Sequence, residues 1–148
     1  MEESDLEFVN NIRNDITTRK NLRNSDLISL EETLKWFHDR KPMWFIIKVG
    51  GDRVGYMRTS LNTGESICIG CDIHPDHRGK GYAKSAYNLL MDDFYSLGYV
   101  LLWLEVFRDN TVAYNLYKKL GFIEAGPPPR IVDGREYVTM VHVRLDHV

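Results

Sequence analysis

Two glycines flank a lysine in the segment 78–83, which reads RGKGYA and directly precedes a predicted helix. The first amides of a helix have no partners inside the helix, and they carry a partial positive charge. Glycine lets an anion come close to the backbone, and Arg78 and Lys80 add positive charge. The segment therefore predicts a pyrophosphate site. A solvated glycine turn with incidental basic residues is the alternative interpretation.

Two other phosphate-binding patterns do not fit this segment. A nucleotide P-loop has a glycine, four other residues and then Gly-Lys-Ser/Thr, but Lys80 is followed by Gly81, and His74 lies five residues before Gly79. A dinucleotide fingerprint needs a third glycine three residues after Gly81, where the chain has Lys84. These mismatches argue against a nucleotide-binding regulatory domain.

Hydrophobic periodicity and turn residues predict the elements that position this segment. The predicted helices cover 6–16, 29–38, 81–97 and the stretch from an Asp109 or Asn110 cap to Gly121; the predicted strands cover 44–49, 53–59, 66–73, 100–106, 122–125 and 137–145. The strands first form a meander and then alternate with helices. The expected fold class is therefore α/β (α+β mixed sheet), with a central mixed sheet flanked by helices. The strand 100–106 is apolar on both faces and is expected at the centre.

Local signals refine these elements. Ser29 and Glu32 form a predicted capping box, and Asn62-Thr63-Gly64 and Gly50-Gly51-Asp52 are predicted turns. The predicted apolar stripes are Leu6, Val9, Ile12 and Ile16; Leu30, Leu34 and Phe37; and Ala83, Ala86, Leu90, Phe94 and Leu97.

The pattern Arg-x-x-Gly-x-Ala at 78–83, after a strand that ends Ile73-His74-Pro75, resembles motif A of the GNAT superfamily of acyl-CoA N-acyltransferases. A second hallmark of that family is similar to the set Leu104-Glu105-Val106, Asn110, Ala113, Leu116-Tyr117 and Leu120-Gly121-Phe122. The run Arg130, Gly134, Tyr137 and Met140 is similar to the closing hairpin of the branch that includes ribosomal-protein and polyamine acetyltransferases. The resemblance covers residues 6–145 in order and implies a single N-acetyltransferase domain over 1–148.

The resemblance implies acetyl-CoA as cosubstrate, with no metal, and direct attack of an amine in a ternary complex. It places the pantetheine arm against the backbone at the end of strand 66–73, in a splay beside strand 100–106, and against Asn110, which also suits a helix cap. The expected cofactor-binding residues are Cys71, Asp72, Ile73, Arg78, Gly79, Lys80, Gly81, Tyr82, Ala83 and Asn110.

Acetyl transfer needs a base for the amine and an acid for the leaving thiolate. A carboxylate within an apolar strand is costly to bury, so Glu105 is either a base or a strand-end carboxylate that reaches solvent or caps an amide. Helical spacing alone makes Tyr117 a core residue, with Tyr114 as a weaker rival for the acid. The resemblance favours Glu105 as general base and Tyr117 as general acid, twelve residues apart. Glu65, Asp72 and His74 are the other candidate bases.

Composition limits the partners and the compartment. The 148 residues carry 19 Lys+Arg and 21 Asp+Glu, a net charge of −2, which argues against bulk binding to nucleic acid or an anionic membrane. The sequence has neither a membrane-spanning apolar run nor signal-peptide order, so a cytoplasmic protein is expected. Cys68 and Cys71 fall on opposite faces of a strand and suit buried thiols rather than a redox or zinc pair. A monomer or a homodimer is expected.

Family members usually begin with a strand, but here a helix begins by about residue 4. Four explanations are open: the protein dispenses with that strand, the sequence is trimmed, its start differs, or a partner or dimer supplies the strand. The expected acceptor is a protein or peptide α-amine, in a pocket lined by the 29–40 region, the hairpin 53–60 and the loop 126–136. A small-molecule amine (polyamine, amino sugar or amino acid) and a non-catalytic acyl-CoA-binding module are the alternatives.

Overall fold

The structure is a computed structural model that describes residues 1–61 and 64–144. Its helices are α1 (Leu6–Asn14), α2 (Ile16–Arg19), α3 (Leu30–Arg40), α4 (Tyr82–Ser96) and α5 (Thr111–Lys119). Its strands are β1 (Phe45–Val49), β2 (Asp52–Leu61), β3 (Ser66–Ile73), β4 (Leu101–Phe107), β5 (Ile123–Glu124), β6 (Arg130–Val132) and β7 (Arg135–Val143). Asn62 and Thr63 of a predicted turn, and Leu145 of the last predicted strand, lie outside the described residues.

The strands hydrogen-bond in the order β1-β2-β3-β4-β7-β5, and β6 also pairs with β7. The mixed sheet confirms the predicted fold class, and β4 lies between two strands, as its apolar faces predict. The chain divides into two compact units: the first is Met1–Ser60 with Gly70–Ala86, and the second is Leu61–Ile69 with Tyr87–Val148. The single domain predicted over 1–148 stays a prediction.

In the first unit, a buried amide joins two helices. Asn10 of α1 donates from Nδ2 to the Ile28 carbonyl (2.8 Å) and to the Thr33 hydroxyl of α3 (2.9 Å). The predicted capping box starts α3, because the Glu32 amide donates to Ser29 Oγ (3.1 Å) and the Ser29 amide donates to the Glu32 carboxylate (3.0 Å). The 3₁₀ turn Glu3–Asp5 precedes α1, so residues 1–5 hold no strand.

The predicted helix over 6–16 is interrupted, and its stripe is wrong at Ile16. Asp15 has extended dihedrals (φ −61°, ψ 133°), and its carboxylate accepts from the Thr17 amide at 2.9 Å. This cap starts α2 and turns Ile16 outward, where it is 57% exposed, while Leu6, Val9 and Ile12 are buried. In α3 the buried residue is Thr33 rather than the predicted Leu30, Leu34 or Phe37.

In the second unit, β3 pairs in parallel with β4 from Ser66↔Leu101 to Cys68↔Trp103. β4 pairs antiparallel with β7 from Leu101↔Val143 to Phe107↔Tyr137, and β5 and β6 each pair with β7. The core includes the side chains of Ile67, Leu102, Leu104, Phe122 and Met140, all at most 2% exposed. This packing fixes the faces of β4 and β7.

Two details of the second unit differ from prediction. Leu97 is 74% exposed, because α4 ends at Ser96 and Gly98 follows with φ +101°; Tyr87 and Met91 are buried instead. The predicted loop 126–136 contains the strand β6, which pairs with β7 across a turn at Asp133-Gly134. None of the helices in the described part of the chain is long and apolar enough to cross a membrane.

Candidate active site

The loop between β3 and α4 lies in the first unit and has the backbone that the glycines predict. Gly79 (φ +76°) and Gly81 (φ +80°) both adopt the left-handed conformation that glycine tolerates best. No atom lies within 4 Å of the point where a Cβ would stand at either glycine. The first hydrogen bond of α4 runs from the Ser85 amide to the Gly81 carbonyl (3.2 Å). The amides of residues 82–84 therefore have no acceptor within the helix.

Arg78 holds this loop to the helix α2. Its guanidinium donates to the hydroxyls of Thr17 (2.6 Å) and Thr18 (2.8 Å), and its Nε donates to the Ile73 carbonyl (3.1 Å). Lys80 is exposed on the same loop, and Tyr82 and Ala83 lie half-buried in the first turn of α4. A pyrophosphate fits this loop, because the space beside the two glycines is open, Lys80 is exposed, and the first amides of α4 lack intrahelical acceptors. The binding roles of these residues stay predictions.

The end of β3 also lies in the first unit. Asp72 is 11% exposed and stands 3.2 Å from Arg58 Nε, so this candidate base is ion-paired. Burial, followed by the charge of Asp72, raises the pKa of the Cys71 thiol. The His74 amide donates to the Val54 carbonyl of β2 (2.8 Å), which anchors the chain directly after Ile73.

Glu105 lies on β4 of the second unit, opposite Thr139 of β7, and its side chain is 21% exposed. Its Oε2 accepts a hydrogen bond from Arg130 Nη2. The Arg130 guanidinium also stands 5.3 Å above the ring of Tyr137, its β-ladder partner. The carboxylate is therefore half-buried and ion-paired. Sequence reasoning missed this pair, because only the register of β6 and β7 brings the two residues together.

Tyr117 on α5 is 8% exposed. The Tyr87 hydroxyl donates to the Tyr117 oxygen at 3.2 Å, and the two rings meet edge to face at 5.5 Å. The Tyr117 hydroxyl, the candidate acid, therefore lies in a hydrogen bond with a second phenol of the same unit. The rival Tyr114 instead donates to Glu124 (2.5 Å).

Asn110 occupies the N-cap position of α5 without a side-chain capping bond. Its carbonyl accepts from the Tyr114 amide at 2.9 Å. The backbone therefore makes the start of the helix, and the half-buried amide group of Asn110 is not committed to capping. Its predicted contact with the pantetheine arm stays a prediction.

A cavity of about 540 Å³ opens in the first unit between α1, α3 and the segment 24–28. Three aromatic rings line it: Trp36 and Trp44 meet at 4.7 Å, and Trp44 stacks on Tyr56 at 5.4 Å. The carboxylates of Asp26 and Glu32 are also part of its lining. Burial, followed by the charge of Asp72, raises the pKa of Tyr56, which keeps its hydroxyl protonated.

Comparison with known proteins places these features in a family. Residues 7–122 match the acetyltransferase (GNAT) family model. The chain is 30% identical over 81 residues to the [ribosomal protein bS18]-alanine N-acetyltransferase of Escherichia coli K12, which covers 55% of each chain. It is 33% identical over 98 residues to the spermidine N(1)-acetyltransferase of the same strain, covering 62% of this chain and 51% of that relative. The chain thus spans about half the length of the curated relatives it matches.

The fold has close counterparts among solved structures. The spermidine N-acetyltransferase of Vibrio cholerae, crystallised with CoA and spermine, superposes with a TM-score of 0.86 at 23% identity, over 97% of this chain and 92% of that one. This likeness supports the fold alone, while the family match covers both the glycine loop and α5. The predicted family and fold class are confirmed: the chain belongs to the acetyltransferase (GNAT) family.

Proposed function

We propose that the protein is an acetyl-CoA-dependent N-acetyltransferase that acts on a primary amine in a ternary complex. The observation that carries this proposal is the family match over residues 7–122. The open glycine loop, followed by helix amides that lack intrahelical acceptors, supports acetyl-CoA as the donor. In this proposal the amine attacks the thioester carbonyl, and the C–N bond forms as the C–S bond breaks.

Glu105 accepts the proton that the amine gives up, and Tyr117 gives a proton to the departing CoA thiolate. A phenol and an alkyl thiol have similar proton affinities, so that transfer is nearly balanced. The hydrogen bond from Tyr87 supports this role, because it stabilises the phenolate oxygen that forms once Tyr117 has lost its proton. The backbone of Cys71, Asp72 and Ile73 is the proposed holder of the pantetheine arm, and the contact of Asn110 with that arm stays a prediction.

We propose a protein or peptide α-amine as the acceptor, in line with the relative that acts on a ribosomal-protein alanine. An α-amine has a pKa near 8, against about 10 for a lysine-like amine, so it gives up its proton to a carboxylate more readily. The apolar and aromatic lining of the 540 Å³ cavity suits the side chain of a terminal residue.

A small polyamine is the second candidate acceptor. The relative that acts on spermidine is one reason, and the cavity is the other. Aromatic faces attract ammonium groups, and the cavity lining has two acidic residues, Asp26 and Glu32, against one basic residue, Arg13.

The test is release of CoA thiol from acetyl-CoA by the full-length protein, with a panel of amines: a peptide beginning with alanine, spermidine, an amino sugar and an amino acid. Turnover with the peptide and not with spermidine supports the first acceptor. The reverse supports the second. Thermal stabilisation by ATP or NAD but not by acetyl-CoA would refute the proposed function.

The role of Glu105 is tested in the same assay. Glu105→Gln is expected to lower kcat by about 100-fold through loss of the base. Glu124→Gln is the matched control, because Glu124 is another strand carboxylate of the second unit that is paired with an arginine, Arg108. The same kcat in Glu105→Gln and Glu124→Gln would rule out Glu105 as the base.

A further inference from the structure

Arg130, which pairs with the proposed base Glu105, lies outside the family motif of the glycine loop and outside the motif that includes α5. Arg130 lies on β6, a three-residue strand that follows three consecutive prolines. Its guanidinium donates to Glu105 Oε2 and lies over the Tyr137 ring at 5.3 Å. A cation therefore already occupies the carboxylate that must meet the amine of the acceptor.

The neighbouring groups hold this face of the sheet in place. Glu105 and Phe107 are two residues apart on β4 and so share one face of the sheet, and Phe107 stacks on Tyr137 of β7 at 4.8 Å. The Arg135 guanidinium covers the Phe107 ring, with Cζ 3.9 Å from the ring centroid. It also donates a hydrogen bond to the Asp109 carboxylate at 2.7 Å. Among the described residues, Arg135 pairs with Asp109, and Arg130 pairs with Glu105.

Primary amines reach an enzyme at neutral pH mainly as ammonium ions. An ammonium ion and a guanidinium ion repel each other, so Arg130 on Oε2 weakens the binding of an ammonium ion to the Glu105 carboxylate. Arg130 is 42% exposed, so its side chain can turn into solvent at small cost, since exposed ion pairs contribute little. At the same time, its tether to β6 keeps it at high effective concentration beside Glu105.

We propose that Arg130 is an internal competitor for the acceptor: it occupies Glu105 in the resting protein, and the substrate ammonium displaces it before proton transfer. The proton then moves from the ammonium nitrogen to the vacated Glu105 oxygen, and the neutral amine attacks. Arg130 acts as a specificity-determining residue, because it sets the affinity that an acceptor must exceed. This inference rests on the proposed function of Glu105.

The test compares Arg130→Gln, Arg130→Lys and Arg108→Gln in full-length protein. Arg108 is the control, because it is a half-exposed arginine of the same unit that pairs with Glu124 and Glu136. Arg130→Gln is expected to lower the KM for the amine by about two- to fivefold, the range of an exposed ion pair, with kcat nearly unchanged. Arg130→Lys keeps a competing cation and should restore the KM, and Arg108→Gln should match the wild type.

A lower kcat or a raised KM in Arg130→Gln overturns the proposal, because Arg130 would then position Glu105 or bind the substrate. A second measurement needs no variant. The guanidinium NMR signal of Arg130 is followed in ¹⁵N-labelled wild-type protein while spermidine or the alanine peptide is added without acetyl-CoA. Loss of the ion-paired signal supports displacement, and an unchanged signal at a saturating amine concentration overturns it.

The two proposals can fail separately. If no amine is acetylated but amines still displace Arg130, the proposed reaction is wrong and the competition stands. If amines are acetylated while Arg130 stays paired, the reaction stands and the competition is wrong.

Discussion

The glycine loop of the first unit and the Glu105–Tyr117 region of the second unit are built from different parts of the chain. The loop has open space beside Gly79 and Gly81, and their two positive φ angles define its shape. In the second unit the candidate groups are side chains, and each is held by another side chain: Arg130 on Glu105 and Tyr87 on Tyr117.

This difference determines which substitutions matter in each region. Backbone donors depend on dihedral angles, so the loop should tolerate changes of side-chain chemistry but not of backbone freedom. Side-chain acids and bases depend on single atoms, so the second unit should be sensitive to the loss of one oxygen. Three experiments test this contrast, and a fourth concerns a group outside both regions.

Removing the hydroxyl of Tyr117 should have the largest effect. Tyr117→Phe is expected to lower kcat by about 100-fold through loss of the acid, with the affinity for acetyl-CoA unchanged. Tyr114→Phe, on the same helix, should keep full activity, because the Tyr114 hydroxyl serves Glu124. Steady-state kinetics and calorimetric binding measure the two quantities, and equal kcat values for both variants would exclude Tyr117 as the acid.

A β-branched residue at Gly81 should weaken cofactor binding. At φ +80° a valine is strained by about 1–2 kcal/mol, and its side chain would occupy the open space above the loop amides. Gly81→Val is therefore expected to bind acetyl-CoA about tenfold more weakly in calorimetry. Gly51→Val is the control, because Gly51 (φ +89°) is equally open but lies in the β1–β2 hairpin. If both variants lose affinity equally, general strain rather than the loop is the cause.

The hydroxyl of Tyr87 should have a smaller effect. Tyr87→Phe removes the donor to the Tyr117 oxygen, so kcat should fall about threefold and the free energy of unfolding by about 1 kcal/mol. Tyr99→Phe, whose ring packs on Phe94 in the same unit, is the control. A threefold fall in kcat for Tyr99→Phe as well would show that packing, and not the hydrogen bond, is responsible.

The smallest expected effect is on the free energy of unfolding and comes from His142, a residue of the second unit outside both regions. Burial lowers the pKa of His142 below its ordinary value of 6.5, and the ring accepts or donates a hydrogen bond with Tyr95 Oη at 2.5 Å. As the pH falls, His142 therefore takes up a proton at a higher pH in the unfolded chain than in the folded chain. The contribution of neutral His142 to the free energy of unfolding is complete above pH 6.5 and is lost as the pH falls below that value.

The measurement is the free energy of unfolding from pH 7 to pH 5 for wild type and His142→Gln. The loss of stability over this range should be smaller in the variant, by less than about 1.4 kcal/mol, which corresponds to one pKa unit. Parallel curves for the two proteins would contradict the prediction.

Local patterns predicted the glycine loop, the capping box of α3 and the bounds of β3 well, because short-range chemistry determines them. The contacts of Arg78 with Thr17 and Thr18 lie some 60 residues apart in sequence, and no local pattern indicates them. The pairing of Arg130 with Glu105 depends on the register of β6 and β7, which the proline-rich segment obscures. Asp15 is a cap inside an apolar repeat, so periodicity alone extended α1 too far.

Gly55 and Gly70 have ordinary backbone angles, yet they differ in how much variation they should accept. A Cβ at Gly55 would stand 2.5 Å from the Asp72 carbonyl oxygen, which is fixed backbone, while one at Gly70 would meet the end of the Arg58 side chain at 2.6 Å. Arg58 can turn aside, but the β3 backbone cannot. Across a library of single substitutions, position 55 should therefore be as intolerant as the left-handed glycines, and position 70 should admit alanine. A filter based on dihedral angles would overlook the restriction at position 55.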